Sequence, residues 1–209
     1  MARKKKAIDY INELLASKNE KRRTLGETLK ALYERWTETL ALEDLLKFNE
    51  TIMANKAEIG VAQFFGKFRA YAFEEYVYRL LKAKIRLKKP LEVFWAEKCL
   101  IWHEEDMEYA MEFDVSVGTR KGKLVDPMVV LDAKVELDSS RLKTALASFA
   151  MLKLLKPEVK CAVIYVEREL NVNLLKVARK WADGIFQFNL QNDETGLFLD
   201  SVAMWLSVC

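Results

Sequence analysis

The sequence has few of the residues from which most metal centres and redox sites are built. Histidine occurs once, at His103, which excludes a multi-histidine metal centre and most histidine-dependent catalysis. The three cysteines, Cys99, Cys161 and Cys209, are odd in number and far apart, so no pair has the spacing of a zinc knuckle or a redox motif. We expect reduced and mostly buried thiols.

Proline and glycine are also scarce, with three and seven residues in a chain of 209. This scarcity favours long regular elements joined by short connections. No apolar run approaches the length of a membrane span, and residues 1–6 do not lead into an uninterrupted apolar stretch. We therefore expect an intracellular, cytoplasmic and soluble protein that has no membrane partner.

The remaining composition is that of a globular protein. Hydrophobic residues make up 51% of the chain and charged residues 31%, and the length suffices for one domain with elaborations. A weakly marked boundary near residue 57 divides a helical N-terminal extension, residues 1–57, from a domain at 58–209.

The first part of the chain reads as helical. Between residues 8 and 86 there is no proline, and apolar residues recur every three or four positions. This pattern predicts a helix near 5–17, longer helices near 24–57 and one near 60–84. The predicted buried stripe consists of Tyr10, Leu14, Leu29, Leu32, Tyr33, Trp36, Leu40, Leu45, Leu46 and Phe48.

After Pro90 the pattern changes to that of strands. Residues 91–102, 108–119 and 127–137 are rich in β-branched and aromatic residues, and residues 118–122 resemble a hairpin connection. These segments predict a consecutive three-strand meander. Asp138 and two serines offer an N-cap for a helix at 141–155, followed by strand 161–166, helix 171–182 and strand 184–188.

Charged residues alternate along two of the predicted strands. Asp132, Lys134 and Glu136 share one face of the third strand, while Glu112, Asp114 and Ser116 share one face of the second. If the two strands pair, two carboxylates and one ammonium converge. Such a set can hold a divalent metal ion.

The same residues resemble the PD-(D/E)XK nuclease superfamily. The order of elements from about residue 60 to residue 190 is similar to the core of that family. Asp114 matches its first aspartate, Asp132 its second acidic residue and Lys134 its lysine. Glu74 matches the glutamate of its first helix, with Glu75 as the alternative, and Phe113 stands at the nominal proline. The glutamine or tyrosine that many members carry after the lysine has no clear match here.

The resemblance implies an α/β, restriction-endonuclease-like fold. Its core would be a mixed central sheet, with a β-meander followed by α-β-α-β and flanked by helices. It also implies Mg²⁺-dependent or Mn²⁺-dependent cleavage of DNA, either restriction-like or junction-resolvase-like. Asp114, Asp132 and Glu74 would hold metal, and Lys134 would act beside a metal-bound water. A homodimer is expected because cutting both strands requires two sites, and the helical extension at residues 1–57 would serve dimerisation or contact with DNA. RNA remains an alternative substrate.

Structural explanations compete with each assignment. Asp114, Asp132 and Lys134 could form a solvent-facing ladder of ion pairs, and a helix glutamate such as Glu74 is most often simply solvated. For the candidate nucleic-acid contacts, a solubilising role is slightly favoured over contact with phosphate; these residues are Arg141, Lys143, Lys21, Arg22 and Arg23. The alternative function is a non-catalytic nucleic-acid-binding or assembly protein that retains the nuclease fold.

Overall fold

The structure is a computed structural model that describes residues 5–105 and 107–207, except for the side chains of Ala62 and Gln63. The chain forms two compact units, Met1–Leu80 and Leu81–Cys209. The boundary expected near residue 57 stays a prediction, because compactness does not show which part folds alone. Within the described ranges, no helix combines the length and the apolar character needed to cross a membrane.

The first unit is helical, as expected. Its elements are α1 (Ala7–Leu15), α2 (Glu20–Thr39), α3 (Leu42–Ala54), α4 (Lys56–Ile59) and most of α5 (Ala62–Lys84). The Asn19 side chain caps α2 by accepting a hydrogen bond from the Arg22 amide, and Leu40, directly after the end of α2, has φ of 52°. Of the expected buried stripe, only Leu32 and Leu40 are half-buried; the other eight residues are buried.

The second unit is built on one mixed sheet. Its elements after α5 are β1 (Glu92–Trp95), β2 (Lys98–Glu104), β3 (Met107–Glu112), β4 (Val115–Lys121), β5 (Leu124–Asp138), α6 (Ser139–Leu155), β6 (Lys160–Glu169), α7 (Val172–Ala178), β7 (Gly184–Asn189), β8 (Asn192–Asp193) and α8 (Thr195–Ser207). The strand order is β1-β4-β5-β6-β7-β8. β5 lies between β4, which is antiparallel to it, and β6, which is parallel to it.

The prediction of a meander of three consecutive strands was wrong in one respect, because two further strands interrupt it in the sequence. The antiparallel strands β1, β4 and β5 are neighbours, but the β2–β3 hairpin is inserted between the first two of them. Residues 91–102 and 108–119 therefore each contain two strands. The connections between these pairs of strands contain no glycine and no proline. The first connection includes Ala96, whose φ is 52°, and the second consists of Phe113 and Asp114. No turn signal in the sequence marks these breaks.

The expected connection between β4 and β5 is present but shorter than predicted. Lys121 pairs with Leu124, which leaves only Gly122 and Lys123 in the turn. Gly122 has φ of 60° at the first central position, which a two-residue turn commonly fills with glycine. A bulge follows, because Gly118 pairs with Pro127 and Val117 with Val129, and proline is tolerated in a sheet at such a place.

The later elements confirm the predicted order. Asp138 caps α6 by accepting a hydrogen bond from the Arg141 amide at 2.7 Å, and the helix ends two residues before Pro157. The α6 residues Leu142, Phe149 and Leu152 share a buried hydrophobic cluster with Val163 of β6. Cys99 and Cys161 are free, buried thiols, as expected, whereas Cys209 lies outside the described residues.

Candidate active site

The central strand β5 carries two of the candidate residues on one side. From Asp132 to Asp138 its residues alternate between half-buried and buried, with Ala133 buried between Asp132 and Lys134. β6 pairs with β5 along Asp132 and Lys134, whereas the β4 ladder ends at Leu131, so these two half-buried charged side chains stand where β5 has a paired strand on one side only. Such a position is costly for a charge unless the charge is paired.

Asp114 comes from the short gap between β3 and β4. Val115 pairs with Leu131 in the antiparallel β4–β5 ladder, so the preceding Asp114 comes alongside Asp132. The Asp114 carboxylate accepts a hydrogen bond from the Ala133 amide at 2.8 Å through Oδ2. The backbone of β5 thus anchors this carboxylate beside the strand that carries its partners.

The Lys134 ammonium joins the two carboxylates. Its Nζ lies 3.0 Å from Asp114 Oδ2 and 2.7 Å from Asp132 Oδ1. The side chains of Asp114 and Asp132 are each 20% exposed and that of Lys134 is 26% exposed, so solvent reaches the cluster only in part. The structure therefore brings together three of the four predicted catalytic residues, with one negative charge in excess.

Burial and charge act in opposite directions on these groups. Burial raises the pKa of Asp132 to about 6, aided by the negative charge of Asp114 and opposed by Lys134. Burial alone would lower the pKa of Lys134, but the two carboxylates raise it above its usual value. Lys134 is consequently protonated at neutral pH.

One atom of the cluster lacks a well-formed partner. Asp132 Oδ1 is buried, and it accepts no hydrogen bond of good geometry from any residue that the structure describes, despite its short contact with Lys134. The other carboxylate oxygens, Asp114 Oδ1 and Asp132 Oδ2, accept no hydrogen bond from the described residues and are not among the buried atoms without partners. These two oxygens are therefore open to solvent.

Replacing Asp132 with asparagine is expected to stabilise the metal-free protein at neutral pH. The folded-state pKa of about 6 exceeds the ordinary value of 3.8, so the folded protein binds this proton more tightly than the unfolded chain does. The resulting stability is complete below about pH 4 and is lost as the pH rises to about 6. The gain should reach roughly 1–3 kcal/mol at about pH 7.5 and vanish near pH 4. Urea unfolding in a chelator at both pH values measures it; an equal gain at both would contradict this account.

The helix glutamates lie in the first unit. Glu74 and Glu75 are both buried on α5, at 5% and 2% exposure. Glu75 Oε1 accepts hydrogen bonds from the Tyr33 hydroxyl at 2.9 Å and from the Arg79 guanidinium at 2.8 and 2.9 Å. These contacts give Glu75 a structural role. The metal-binding role of Glu74 stays a prediction.

The predicted nucleic-acid contacts have different surroundings. The Arg141 guanidinium donates a hydrogen bond to the Glu136 carbonyl at 2.7 Å and lies 3.5 Å from the carboxylates of Glu136 and Asp138. Lys143 is exposed on α6. Arg141 thus secures the corner between β5 and α6, and a contact between either residue and nucleic acid stays a prediction.

The three basic residues of α2 are likewise partly engaged. Lys21 is exposed, Arg22 is half-buried, and the guanidinium of Arg23 donates to the carbonyls of Ser17 and Lys18 at 3.4 and 3.3 Å. Arg23 therefore satisfies carbonyl groups that follow α1. Contact between these three residues and nucleic acid also stays a prediction.

Two groups near the site were not foreseen. One is the Ala133 amide, which holds Asp114. The other is Tyr165 of β6, which pairs with Lys134 in the parallel ladder and donates a 3.4 Å hydrogen bond from its hydroxyl to Gln187. Residues paired in this way lie on the same side of a sheet. The predicted strand 161–166 contained Tyr165, but its register with β5 was unknown.

The donor set suits a hard divalent cation that keeps part of its water shell. Among the described residues, no three histidine, cysteine, aspartate or glutamate side chains form a group that could hold a metal ion. Two carboxylates remain, with one open oxygen each. Mg²⁺ is often held in proteins by one or two carboxylates, with water and phosphate oxygens completing the octahedron.

Comparison with known proteins identifies the fold. No protein-family model and no curated protein sequence matches the chain. Among solved structures, a chain of the native BbvCI A2B2 tetramer, a restriction endonuclease, superposes with a TM-score of 0.51 and 13% sequence identity. The alignment covers 97% of this chain and 88% of that chain. The protein thus has a mixed α/β, restriction-endonuclease-like fold.

Proposed function

We propose that the protein is a metal-dependent endonuclease that hydrolyses phosphodiester bonds in DNA. The observation that carries this proposal is the convergence of Asp114, from the gap before β4, and Asp132, from β5, on the ammonium of Lys134. The restriction-endonuclease-like fold supports the same class of reaction. A surface ladder of ion pairs explains the arrangement less well, because the cluster is largely buried on a central strand and retains an excess negative charge.

Asp114 and Asp132 would hold Mg²⁺ or Mn²⁺ through their open oxygens, and Glu74 is proposed as a further carboxylate for the site. When bound, such a cation neutralises phosphate charge and lowers the pKa of a bound water. The Ala133 amide fixes the Asp114 carboxylate, so the open oxygen of Asp114 is held in place before a metal or substrate arrives. This preorganisation reduces the cost of assembling the site.

Lys134 would act through its charge. Because its pKa is raised, its ammonium is protonated at neutral pH and cannot serve as a base. It can donate hydrogen bonds to a phosphate oxygen or to the attacking water and can offset the negative charge that develops on phosphorus. Its contacts with both aspartates keep Nζ within the cluster that would contact the phosphate.

DNA is the proposed substrate, and we propose that two copies cooperate to cut both strands. Each copy carries one such site, and the neighbouring structure is an A2B2 assembly of a restriction enzyme. Restriction-like cleavage and junction resolution both follow this logic. The proposed cytoplasmic location is consistent with a DNA substrate.

Metal binding tests the proposal without relying on a guessed DNA sequence. We expect Mn²⁺ to bind weakly, to raise the melting temperature, and to lose at least about tenfold in affinity in Asp114→Asn, since one of two charged ligands is removed. Calorimetric titration of the purified protein measures this affinity. Asp200→Asn is the matched control because Asp200 is exposed on α8 and should leave Mn²⁺ binding unchanged.

Cleavage assays complete this test. Incubation with supercoiled, linear and branched DNA in Mg²⁺ or Mn²⁺ should yield cut products that a chelator abolishes. Nucleic-acid binding that is sensitive to salt but indifferent to metal, without cleavage, would instead support the non-catalytic alternative. Including structured RNA in the same assay separates the two possible nucleic-acid substrates.

A further inference from the structure

A groove of about 720 Å³ lies in the second unit. Its lining includes none of the candidate site residues Asp114, Asp132 and Lys134. It is formed by the segment that joins α5 to β1, by Met128 of β5 and by the end of α8. Its apolar lining includes the exposed Pro90 and Ala203 and five half-buried side chains: Ile85, Leu87, Leu91, Met128 and Leu206. It contains no aromatic side chain on which a nucleobase could stack.

The same groove carries a dense positive charge. Lys84, Arg86, Lys88 and Lys89 line it and are exposed, and residues 82–90 include no acidic residue. None of these four side chains takes part in an ion pair with another described residue. The groove thus combines an aliphatic lining with four cations that lack counter-charges within the described parts of the chain.

The tip of the β2–β3 hairpin has the complementary character. Glu104, Glu105 and Glu108 are exposed there, and within the described ranges they form no ion pair. The same tip exposes two large apolar side chains, Met107 at 59% and Tyr109 at 47%. Exposed apolar side chains framed by unpaired charges are typical of a surface that binds another protein.

We propose that the hairpin tip of one copy docks into the basic groove of a second copy. Met107 and Tyr109 would enter the aliphatic lining, and the glutamates would meet the lysines and Arg86. Exposed ion pairs contribute little affinity, so burial of the two apolar side chains supplies most of the attraction, while the charges select the partner and set the register.

The exchange is reciprocal. Each copy carries one hairpin tip and one groove, so a two-fold axis lets both contacts form at once, and the assembly closes as a dimer. A nucleic-acid backbone would satisfy the cations but would leave the aliphatic lining unused and would not account for Met107 and Tyr109. The observations therefore favour a second copy over DNA as the occupant.

Mixing two charge-reversed variants tests this contact directly. The groove variant Lys84→Glu/Lys88→Glu keeps the acidic hairpin, whereas the hairpin variant Glu104→Lys/Glu108→Lys keeps the basic groove. Each alone removes the charge attraction from both contacts and should self-associate at least about tenfold more weakly than the original protein. Mixed together, the unchanged hairpin of the first variant meets the unchanged groove of the second, so the original charge attraction returns at one contact and a heterodimer should form. Sedimentation velocity in a chelator, without DNA, measures all three states and is independent of nuclease activity.

Matched controls separate this contact from general effects of charge. Lys176→Glu/Lys180→Glu makes the same change in net charge at exposed positions in or near α7 and should leave self-association unchanged. Met107→Ser should weaken the dimer, whereas Met151→Ser, at a comparably exposed position on α6, should not. Circular dichroism checks that every variant is folded.

Four outcomes would overturn the proposal. The first is that the original protein stays monomeric at all concentrations, and the second is that the charge-reversed variants still form the dimer. The third is that the mixture forms no heterodimer. The fourth is that the groove variant loses DNA affinity while its self-association is unchanged. The last outcome would assign the groove to a polyanion. The dimer should also weaken as salt rises from about 0.05 M to about 0.5 M, because the paired charges are exposed.

Discussion

Lys134→Met is expected to lower metal-dependent DNA cleavage by roughly 10²–10³-fold while the protein still binds metal. Methionine keeps most of the side-chain volume but removes the ammonium that lies 2.7 and 3.0 Å from the two carboxylates. Without this cation, the two aspartates repel each other and attract a divalent ion more strongly. Cleavage should therefore fall while the Mn²⁺ affinity stays equal or rises.

The aspartates should behave differently from the lysine. Asp114→Asn and Asp132→Asn remove metal ligands, so cleavage and Mn²⁺ affinity should fall together. Steady-state cleavage rates and calorimetric titrations on the same preparations supply both measurements, with Asp200→Asn as the control for an exposed aspartate. Equal cutting by the original protein and by the Lys134 and Asp132 variants would remove these residues from the mechanism.

Arg79→Met is expected to destabilise the protein by about 3–5 kcal/mol, the cost of leaving a buried charge without its partner. The Glu75 side chain is only 3% exposed, and Arg79 donates two of the three hydrogen bonds to its Oε1 atom. Its other oxygen, Oε2, is buried and accepts no hydrogen bond from the described residues. Loss of Arg79 would leave only the Tyr33 hydroxyl to stabilise this carboxylate.

Urea unfolding at neutral pH measures this loss. Lys47→Met, on the exposed face of α3, is the matched control for removing a cation and should change the stability by less than about 0.5 kcal/mol. The double variant Glu75→Gln/Arg79→Met should be more stable than Arg79→Met alone, because it removes the unpaired charge. If the double variant were less stable by the sum of both single losses, the ion pair would not be the cause.

Short-range patterns predicted the helices well and the strands only in part. The three- and four-residue spacing in residues 8–86 identified the helical unit, and Asp138 correctly marked the start of α6. The insertion of the β2–β3 hairpin was missed because its flanking breaks use Ala96 and Asp114 in place of glycine or proline. A strand that bends without a turn residue looks continuous in the sequence.

The arrangement of the candidate site was likewise predicted only in part from the sequence. Strand alternation placed Asp132 and Lys134 on one face, since that depends only on their spacing of two residues. The expected shared face for Glu112, Asp114 and Ser116 presumed one continuous strand, whereas Asp114 lies in the gap between two strands. The hydrogen bond between the Tyr33 hydroxyl and Glu75 was also outside the reach of sequence patterns, because it joins two helices that are far apart in the chain.

The sequence by itself determined which chemical groups are available and how neighbours along one element are arranged, because helix and strand geometry repeat over a few residues. The absence of further histidines and the scarcity of cysteine left carboxylates and lysine as the candidate groups. Only the tertiary structure decided that Asp114 lies beside Asp132, since this follows from the pairing of Val115 with Leu131. Strand register between distant segments is set by packing over the whole sheet, and no local pattern specifies it.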